Sequence, residues 1–343
     1  MDESPDPFEY FFGLPWSDGL PVVTPTPDRI AWMLGGTVRS PEELIGPVPP
    51  AFNEATVETV AQHALMAGCC PDYLPTLLGV VEAVLTEEFN MNGLQGTMGP
   101  GGPMIILNGP YAKKIGVQAG SGCFGPGFRA NATIGRALRL ILMNLGGGLP
   151  GVSDMSCFGS PVKFTFCVRE NEEMSPWPSL AADLGFDAGE DVVTVYPAEG
   201  PRQAFDDSSA EPEGLLTTIS TVMSSMGMSN SYMRQHMVVA LSPDHAALLE
   251  GAGLSRGDVK RILFEKARLP LGLMKRGGRF RGAASAEWPG WVDLNDDESM
   301  VPMIHDPDDI LLIVAGGSPG PNTMVIPGWN NSSHTTSIRY RTD

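Results

Sequence analysis

Between Asn90 and Ser153 the chain has no aspartate or glutamate, although its 343 residues carry 40 acids against 22 lysines and arginines and a formal charge of −18. Other absences are as informative. No apolar run reaches the roughly 18 residues that a membrane-spanning helix needs. The first residues, MDESPDPFEYFF, lack the basic start and apolar core of a secretory leader, so a cytoplasmic protein is expected. A surplus of acid repels phosphate backbones and anionic lipid, so neither nucleic acid nor a membrane surface is expected as a partner. The five cysteines include no C-x-x-C pair, and no histidine lies at zinc-ligand spacing. Free thiols are therefore expected, with neither a metal nor a cofactor. His63, His236, His245, His305 and His334 are scattered and read as structural. No repeat recurs at a fixed period.

What is present is a globular composition, 42% hydrophobic. The first fifty residues hold ten prolines and the rings of Phe8, Tyr10, Phe11, Phe12 and Trp16. They read as an ordered Pro-rich arm lying across its own domain or a second subunit. Asn53 and Pro71 start two apolar helices. Met104–Leu107, Lys163–Val168 and Asp191–Tyr196 read as strands, and a helix from about Phe128 to Asn144 stops at three glycines, Gly146 to Gly148. The acidic, Ser-rich segment 201–214 reads as a loop or seam. Beyond it, a helix near Leu215 to Met226, the strand Met237–Leu241, helices opened by Ser242 and Ser255, and strands Ile310–Val314 and Met324–Ile326 suggest a second unit. A patternless excursion at 270–306 interrupts it. The expected class is α/β (or α+β) with mixed sheets, divided into an arm (1–50), a Gly-rich core domain (51–205) and a second α/β unit (206–343).

Three groups of residues carry candidate chemistry. The acid-free stretch holds Lys113, Lys114, Arg129, Arg136 and Arg139, and 16 of the 41 glycines. Its segment Gly120-Ser-Gly122-Cys123-Phe-Gly125 is a literal G-x-G-x-x-G before a helix. It lacks the buried strand before and the acid about 20 residues after that a dinucleotide fold requires. A small-anion cradle of loop amides with Arg129 is the alternative, beside a plain glycine turn. Arg136 and Arg139 are expected to face water. The second group is Glu170-Asn171-Glu172 with Glu173 and Trp177, directly after a strand. Glu170 or Glu172 would move a proton there, with Asn171 and Asn108 positioning an oxygen and Trp177 among the substrate contacts; solvated acids with a Trp lid are the bland reading. Asn131 is included among the substrate contacts. The third group is the thiols, with Cys69 and Cys123 as candidate nucleophiles against a default of free buried cysteine.

Asp18-Gly-Leu-Pro-Val-Val-Thr-Pro-Thr26, Met66-Ala-Gly-Cys69, Arg129-Ala-Asn-Ala-Thr-Ile-Gly-Arg136 and Glu170-Asn-Glu-Glu-Met-Ser-Pro-Trp177 resemble a bacterial family that occurs beside, or fused to, small thiol or selenol proteins with a U/C-G-S-C motif. The resemblance covers roughly residues 15 to 200, and Val314-Ala-Gly-Gly317 also fits. It implies a coherent enzyme-like unit and a thiol or selenol protein partner, but no particular reaction. The chain departs from the family pattern at Gly99-Pro100, where a His-Pro pair is expected, at Pro161-Val-Lys163, where Pro-Gly-Lys is expected, and at Leu180-Ala-Ala-Asp-Leu184, where a histidine is expected.

The leading expectation is an enzyme on a small carboxylate-bearing substrate, of lyase or hydratase type or a thiol-dependent transferase, with the glycine loop and the acids of 170–173 lining one cleft. A subunit of a thiol redox complex and a non-catalytic binding protein are the alternatives. A homo-oligomer is expected in each case.

Overall fold

Alternation along the strands sets the layers of this protein. In the strand Gly102–Asn108, Ile105 and Leu107 pack into one core while Met104 and Ile106 pack into another. The strands Met237–Leu241 and Ile310–Val314 divide in the same way. Strands buried on both faces read as unbroken apolar runs, as these do. The computed structural model describes residues 7–277 and 287–342. Strands are numbered β1 Leu44–Val48, β2 Asn53–Thr56, β3 Gly102–Asn108, β4 Cys167–Arg169, β5 Val192–Ala198, β6 Arg202–Phe205, β7 Met237–Leu241, β8 Arg268–Pro270, β9 Met300–Pro302, β10 Ile310–Val314, β11 Asn322–Pro327 and β12 Thr336–Arg339. The protein is α/β, and no helix among the described residues is long and apolar enough to cross a membrane.

Two four-stranded sheets, ordered β12-β5-β3-β4 and β10-β7-β11-β6, lie at the centre. Their facing sides share one core, which includes Ile106, Val168, Tyr196, Val238, Ile313 and Ile326. The helices Val57–Ala67, Leu74–Val84 and Arg129–Asn144 cover the outer side of the first sheet. The helices Pro212–Met223 and Arg256–Lys266 cover the second. The result is four layers, helix, sheet, sheet, helix.

Both sheets are built alike. A central strand (β3, β7) has a parallel neighbour (β4, β10) on one side and an antiparallel one (β5, β11) on the other. Equivalent bonds close both parallel pairs, Glu170 N to Leu107 O and Ala315 N to Leu241 O. The repeat is thus one of topology, carried by no fixed period in the residues. The fourth strands are exchanged: β6 directly follows β5 but joins the second sheet, and β12 follows β11 but joins the first. The crossing is tied reciprocally by Glu199 N to Pro327 O and Trp329 N to Pro197 O, each 2.8 Å. Tyr196 is wholly buried and donates its hydroxyl to Ile326 O at 2.9 Å, joining the sheets. A cut at 205/206 therefore passes through two interlocked sheets.

The arm folds back on its own chain. Phe11 and Trp16 pack on the first core, and Asp18, its side chain 3% exposed, accepts two hydrogen bonds from Arg136 at 2.7 and 2.8 Å. The arm contains a helix, Pro27–Leu34, and leads into the hairpin β1–β2, where Asn53 belongs to a strand and Thr56 caps the following helix instead. Lys163 ends a short 3-10 turn, so β4 begins only at Cys167. The segment expected as a seam supplies β6. Residues 1–6, the side chain of Phe8, and 278–286 of the long excursion lie outside the described residues.

Because each half completes the other's sheet, unfolding is expected to be cooperative. Tyr196→Phe should lower the urea midpoint by the equivalent of about 1–2 kcal/mol, with fluorescence and circular dichroism transitions still coincident. Two separate transitions would contradict the coupling.

Candidate functional site

The carboxyl ends of β3 and β4 bring together the acids and amides expected from the sequence. Glu170 has no exposed surface and sits between the sheets. Its Oε2 accepts from Asn108 Nδ2 at 2.7 Å and from Leu180 N at 2.6 Å, and its Oε1 lies 3.2 Å from an Arg256 guanidinium nitrogen. Arg256 also donates to the carbonyls of Pro178 and Leu312. Burial pushes the Glu170 carboxyl up, and Arg256, Leu180 N and Asn108 oppose that rise. Glu172 Oε1 accepts from Asn108 Nδ2 at 2.7 Å and Gly109 N at 3.0 Å. Asn108 thus donates to both carboxylates, while its own buried Oδ1 has no partner among the described residues. Asn171 N bonds Val314 O, and Trp177 Nε1 donates to Leu254 O. Burial raises Glu173, but Lys113 and Arg169 override it and hold the carboxyl at about 2. Glu170 and Arg256 form a joint between the halves, with Asn108 bracing it.

The glycine loop lies at the same end of the strands but is not joined there by its expected cation. Arg129 directs Nε to Gly68 O at 2.9 Å and another nitrogen to Cys69 O at 3.2 Å, capping the end of the helix Val57–Ala67. The amide N–H groups of Ala119 and Gly120 donate to Gln118 Oε1, and Gly316 N donates to Ala119 O. Gly122 and Gly125 have φ of +73° and +93°, where a side chain would be strained, so they serve the turn itself. Asn131 is buried and donates to the carbonyls of Gln118, Cys123 and Cys167. Burial pushes the Cys69 thiol up to about 12 and Cys123 to about 11, far from the thiolate form.

The opposite end holds a second constellation that the sequence reading passed over. A cleft of about 980 Å³ opens at the amino ends of β3 and β4, between the last turns of the helix Arg129–Asn144 and the loop 149–161. Four charged side chains line it: Asp18, which is paired with Arg136, and the cluster of Arg139, Asp154 and Lys163. Asp154, 4% exposed, accepts from Lys163 Nζ through both oxygens, at 2.8 and 2.9 Å, and from Arg139 at 2.9 Å. Two cations thus share one carboxylate. Burial raises Asp154, but Lys163 and Arg139 outweigh it and hold the carboxyl below its ordinary range. Burial pushes the Lys163 ammonium down, and Asp154 restores only part of the fall. Above this polar floor the walls are apolar, with Met143, Leu149, Val152, Phe158 and Phe164. Phe158 is fully exposed, Val152 is 74% exposed, and Cys157, an exposed cysteine, lies between them.

Local chemistry explains this geometry. Gly135 lets the long helix approach β4, since a Cβ there would strike Thr165 and Phe166. Helical spacing then places Arg139 one turn further along the same side. Gly147, at φ +69°, reverses the chain, and Leu149 O accepts the backbone N–H of Val152, Ser153 and Asp154 to fold the loop. The expectation of a solvated arginine face is overturned for both residues: Arg136 is paired with the arm and Arg139 with Asp154. The available signal was that Asp154 is the first acid after a long acid-free stretch, close to two cations that lack a local partner. The neighbouring segments are tied to this cleft: Cys157 N donates to Met98 O, and Lys163 and Arg139 also line a small separate cavity with Val162. Comparison of the chain with family models, with curated proteins and with solved structures finds no match.

Arg256→Met should destabilise the protein by about 3–5 kcal/mol by leaving Glu170 buried and unpaired. A carboxyl whose folded pKa is raised binds protons more tightly when folded, so that loss should shrink as pH falls through the folded pKa. Urea midpoints at pH 5 and 8 check this; a loss independent of pH would contradict an uncompensated Glu170 charge.

Proposed function

We propose that the chain is an enzyme acting on a small carboxylate-bearing molecule held in the cleft over Arg139, Asp154 and Lys163. The observation that carries the reading is the charge balance of the floor. Two cations sharing one carboxylate leave an excess positive charge at a partly desolvated site, and an anion relieves it. Arg139 donates to Gln95 Oε1 and Gly148 O at 3.3 Å as well as to Asp154, which leaves two of its five N–H bonds for a carboxylate, and the apolar walls suit a short hydrocarbon body. This moves the expected anion site from the glycine loop to the other end of the same strands.

Lys163 is the group suited to proton transfer. The ammonium helps to draw in the carboxylate. Because burial lowers its pKa it gives up its proton to solvent more readily than a free lysine, and the amine form then takes a proton from carbon next to the carboxylate, which stays paired with Arg139. Arg139 then stabilises the charge that develops on the carboxylate, and loss of a leaving group from the adjacent carbon completes a lyase-type elimination. The reverse addition of water is a hydratase reaction. Asp154 keeps the amine in place.

A second reading is favoured by Cys157. It is an exposed thiol at the cleft mouth, set among apolar side chains, whereas Cys69, Cys123 and Cys167 are buried. In that reading the Cys157 thiolate attacks a disulfide of a thiol or selenol protein partner, forming a mixed disulfide and releasing one partner thiol. The exposed side chains of Met98, Val152, Met155 and Phe158 would be covered by such a partner or by a second copy of the chain.

Binding of acetate, butyrate and hexanoate, followed by calorimetry, tests the first reading. Arg139→Gln should weaken hexanoate at least about 10-fold, as expected for loss of a charge-assisted pair. Lys163→Met should abolish exchange of the α-hydrogen in heavy water while leaving Arg139-dependent binding measurable. Equal affinities in wild type and Arg139→Gln would overturn the site. Cys157→Ser should leave carboxylate binding unchanged and abolish any mixed disulfide; trapping through Cys123 instead would sink the second reading.

A further inference from the structure

The rim of the cleft reverses the usual division between charged and apolar surface. None of the four charged side chains that line it, Asp18, Arg139, Asp154 and Lys163, is more than 12% exposed, and each is closed in an ion pair. The apolar side chains stand in water instead. Phe158 is fully exposed, and Val152, Met155 and Phe164 of the same loop are about half exposed or more. Met98 is exposed as well and is tied to the loop, since its carbonyl accepts the N–H of Cys157. Exposed apolar side chains scattered singly need no explanation, but a contiguous patch marks a docking face. Five of them, at on the order of 100–200 Å² each, supply most of the roughly 800 Å² that one partner buries in a stable complex.

Charge selects the occupant. The chain carries a formal −18, so a second copy is repelled wherever exposed acid meets exposed acid. The loop 149–164 holds one acid and one base, Asp154 and Lys163, and these are paired with each other and sealed beneath it. Its exposed surface therefore presents no charge, and a like-charged copy can approach there. A basic partner is drawn to acids elsewhere on the surface and gains nothing from a face from which charge has been withdrawn. Anionic lipid is repelled by the chain as a whole. Symmetry points the same way. A twofold contact sets one patch against itself, and a neutral apolar patch complements its own copy where a charged patch does not.

We propose that the loop 149–164 and Met98 form the twofold interface of a homodimer, with Phe158 of each copy as its central anchor. Each copy then covers the mouth of the other's cleft and shields the floor of Arg139, Asp154 and Lys163 from bulk water. Cys157 lies within the covered face. Cys70 lies away from it, because Arg129, at the start of the long helix, bonds Cys69 O, whereas the cleft is at the last turns of that helix. The interface stands apart from the carboxylate reading, which calorimetry tests separately.

Light scattering on the full chain over a dilution series should show the mass rising from one chain to two as concentration increases. Alkylation of wild-type protein by iodoacetamide, mapped by mass spectrometry, should slow at Cys157 by at least about 10-fold across the same transition, while Cys70 keeps its rate. Phe158→Asp places a like charge on both sides of the contact at once. It should raise the dimer dissociation constant at least about 100-fold, with circular dichroism and thermal midpoint of the monomer unchanged because the ring is fully exposed. The mass of a single chain up to about 100 μM would overturn the proposal and leave the face to a different protein. A dimer whose Cys157 reacts at the monomer's rate, or one that Phe158→Asp leaves intact, would overturn it by placing the contact elsewhere. The alkylation comparison requires no variant.

Discussion

A carboxylate with no exposed surface, placed between two sheets, must be answered by a charge from the other side. In this protein Glu170 rises from the first half, Arg256 reaches it from the second, and Asn108 and Leu180 N complete its shell. The remaining architecture fixes that meeting. The sheets share one apolar layer, and each receives its last strand from the opposite half, so neither half slides without breaking hydrogen bonds in both. Such a pair adds little to net stability once desolvation is counted, but its loss on one side is severe. It holds the two halves in register.

That joint divides the molecule chemically. At the carboxyl ends of the strands the charged groups are matched to one another, the acids to Asn108 and Arg256, Arg129 to helix-end carbonyls, and the glycine loop to Gln118 and Gly316, with only amide and guanidinium atoms such as Asn108 Oδ1 lacking a partner among the described residues. At the amino ends the matching is incomplete. Arg139 and Lys163 share a single acid, Asp154. Ligand binding supplies what a fold leaves unmatched, so the proposed chemistry belongs at the second end, although the acids that first suggest catalysis lie at the first.

Much of this was legible in the residues. The apolar runs at 104–107, 237–241 and 310–314 gave β3, β7 and β10, and the periodicity of 128–144 with its glycine stop gave the longest helix. Glu170, Glu172 and Asn108 do meet, as a strand-end cluster should. Other features depend on distant parts of the chain. β6 and β12 are only four residues each and take their identity from partners more than a hundred residues away. Arg139 shows a polar helix face by its spacing, but nothing local reveals that the loop 149–161 folds back and carries Asp154 to it. His63 resembles any buried histidine until Thr59 fixes its tautomer.

The most direct measurement is the position of a heavy-atom carboxylate in the crystal. 6-Bromohexanoate diffused into crystals of the protein should give one bromine anomalous peak within the cleft, with its carboxylate in contact with the Arg139 guanidinium and the Lys163 ammonium. A carboxylate found instead on the amides of Gly120 to Gly127, with the cleft unoccupied at saturating ligand, would contradict the account.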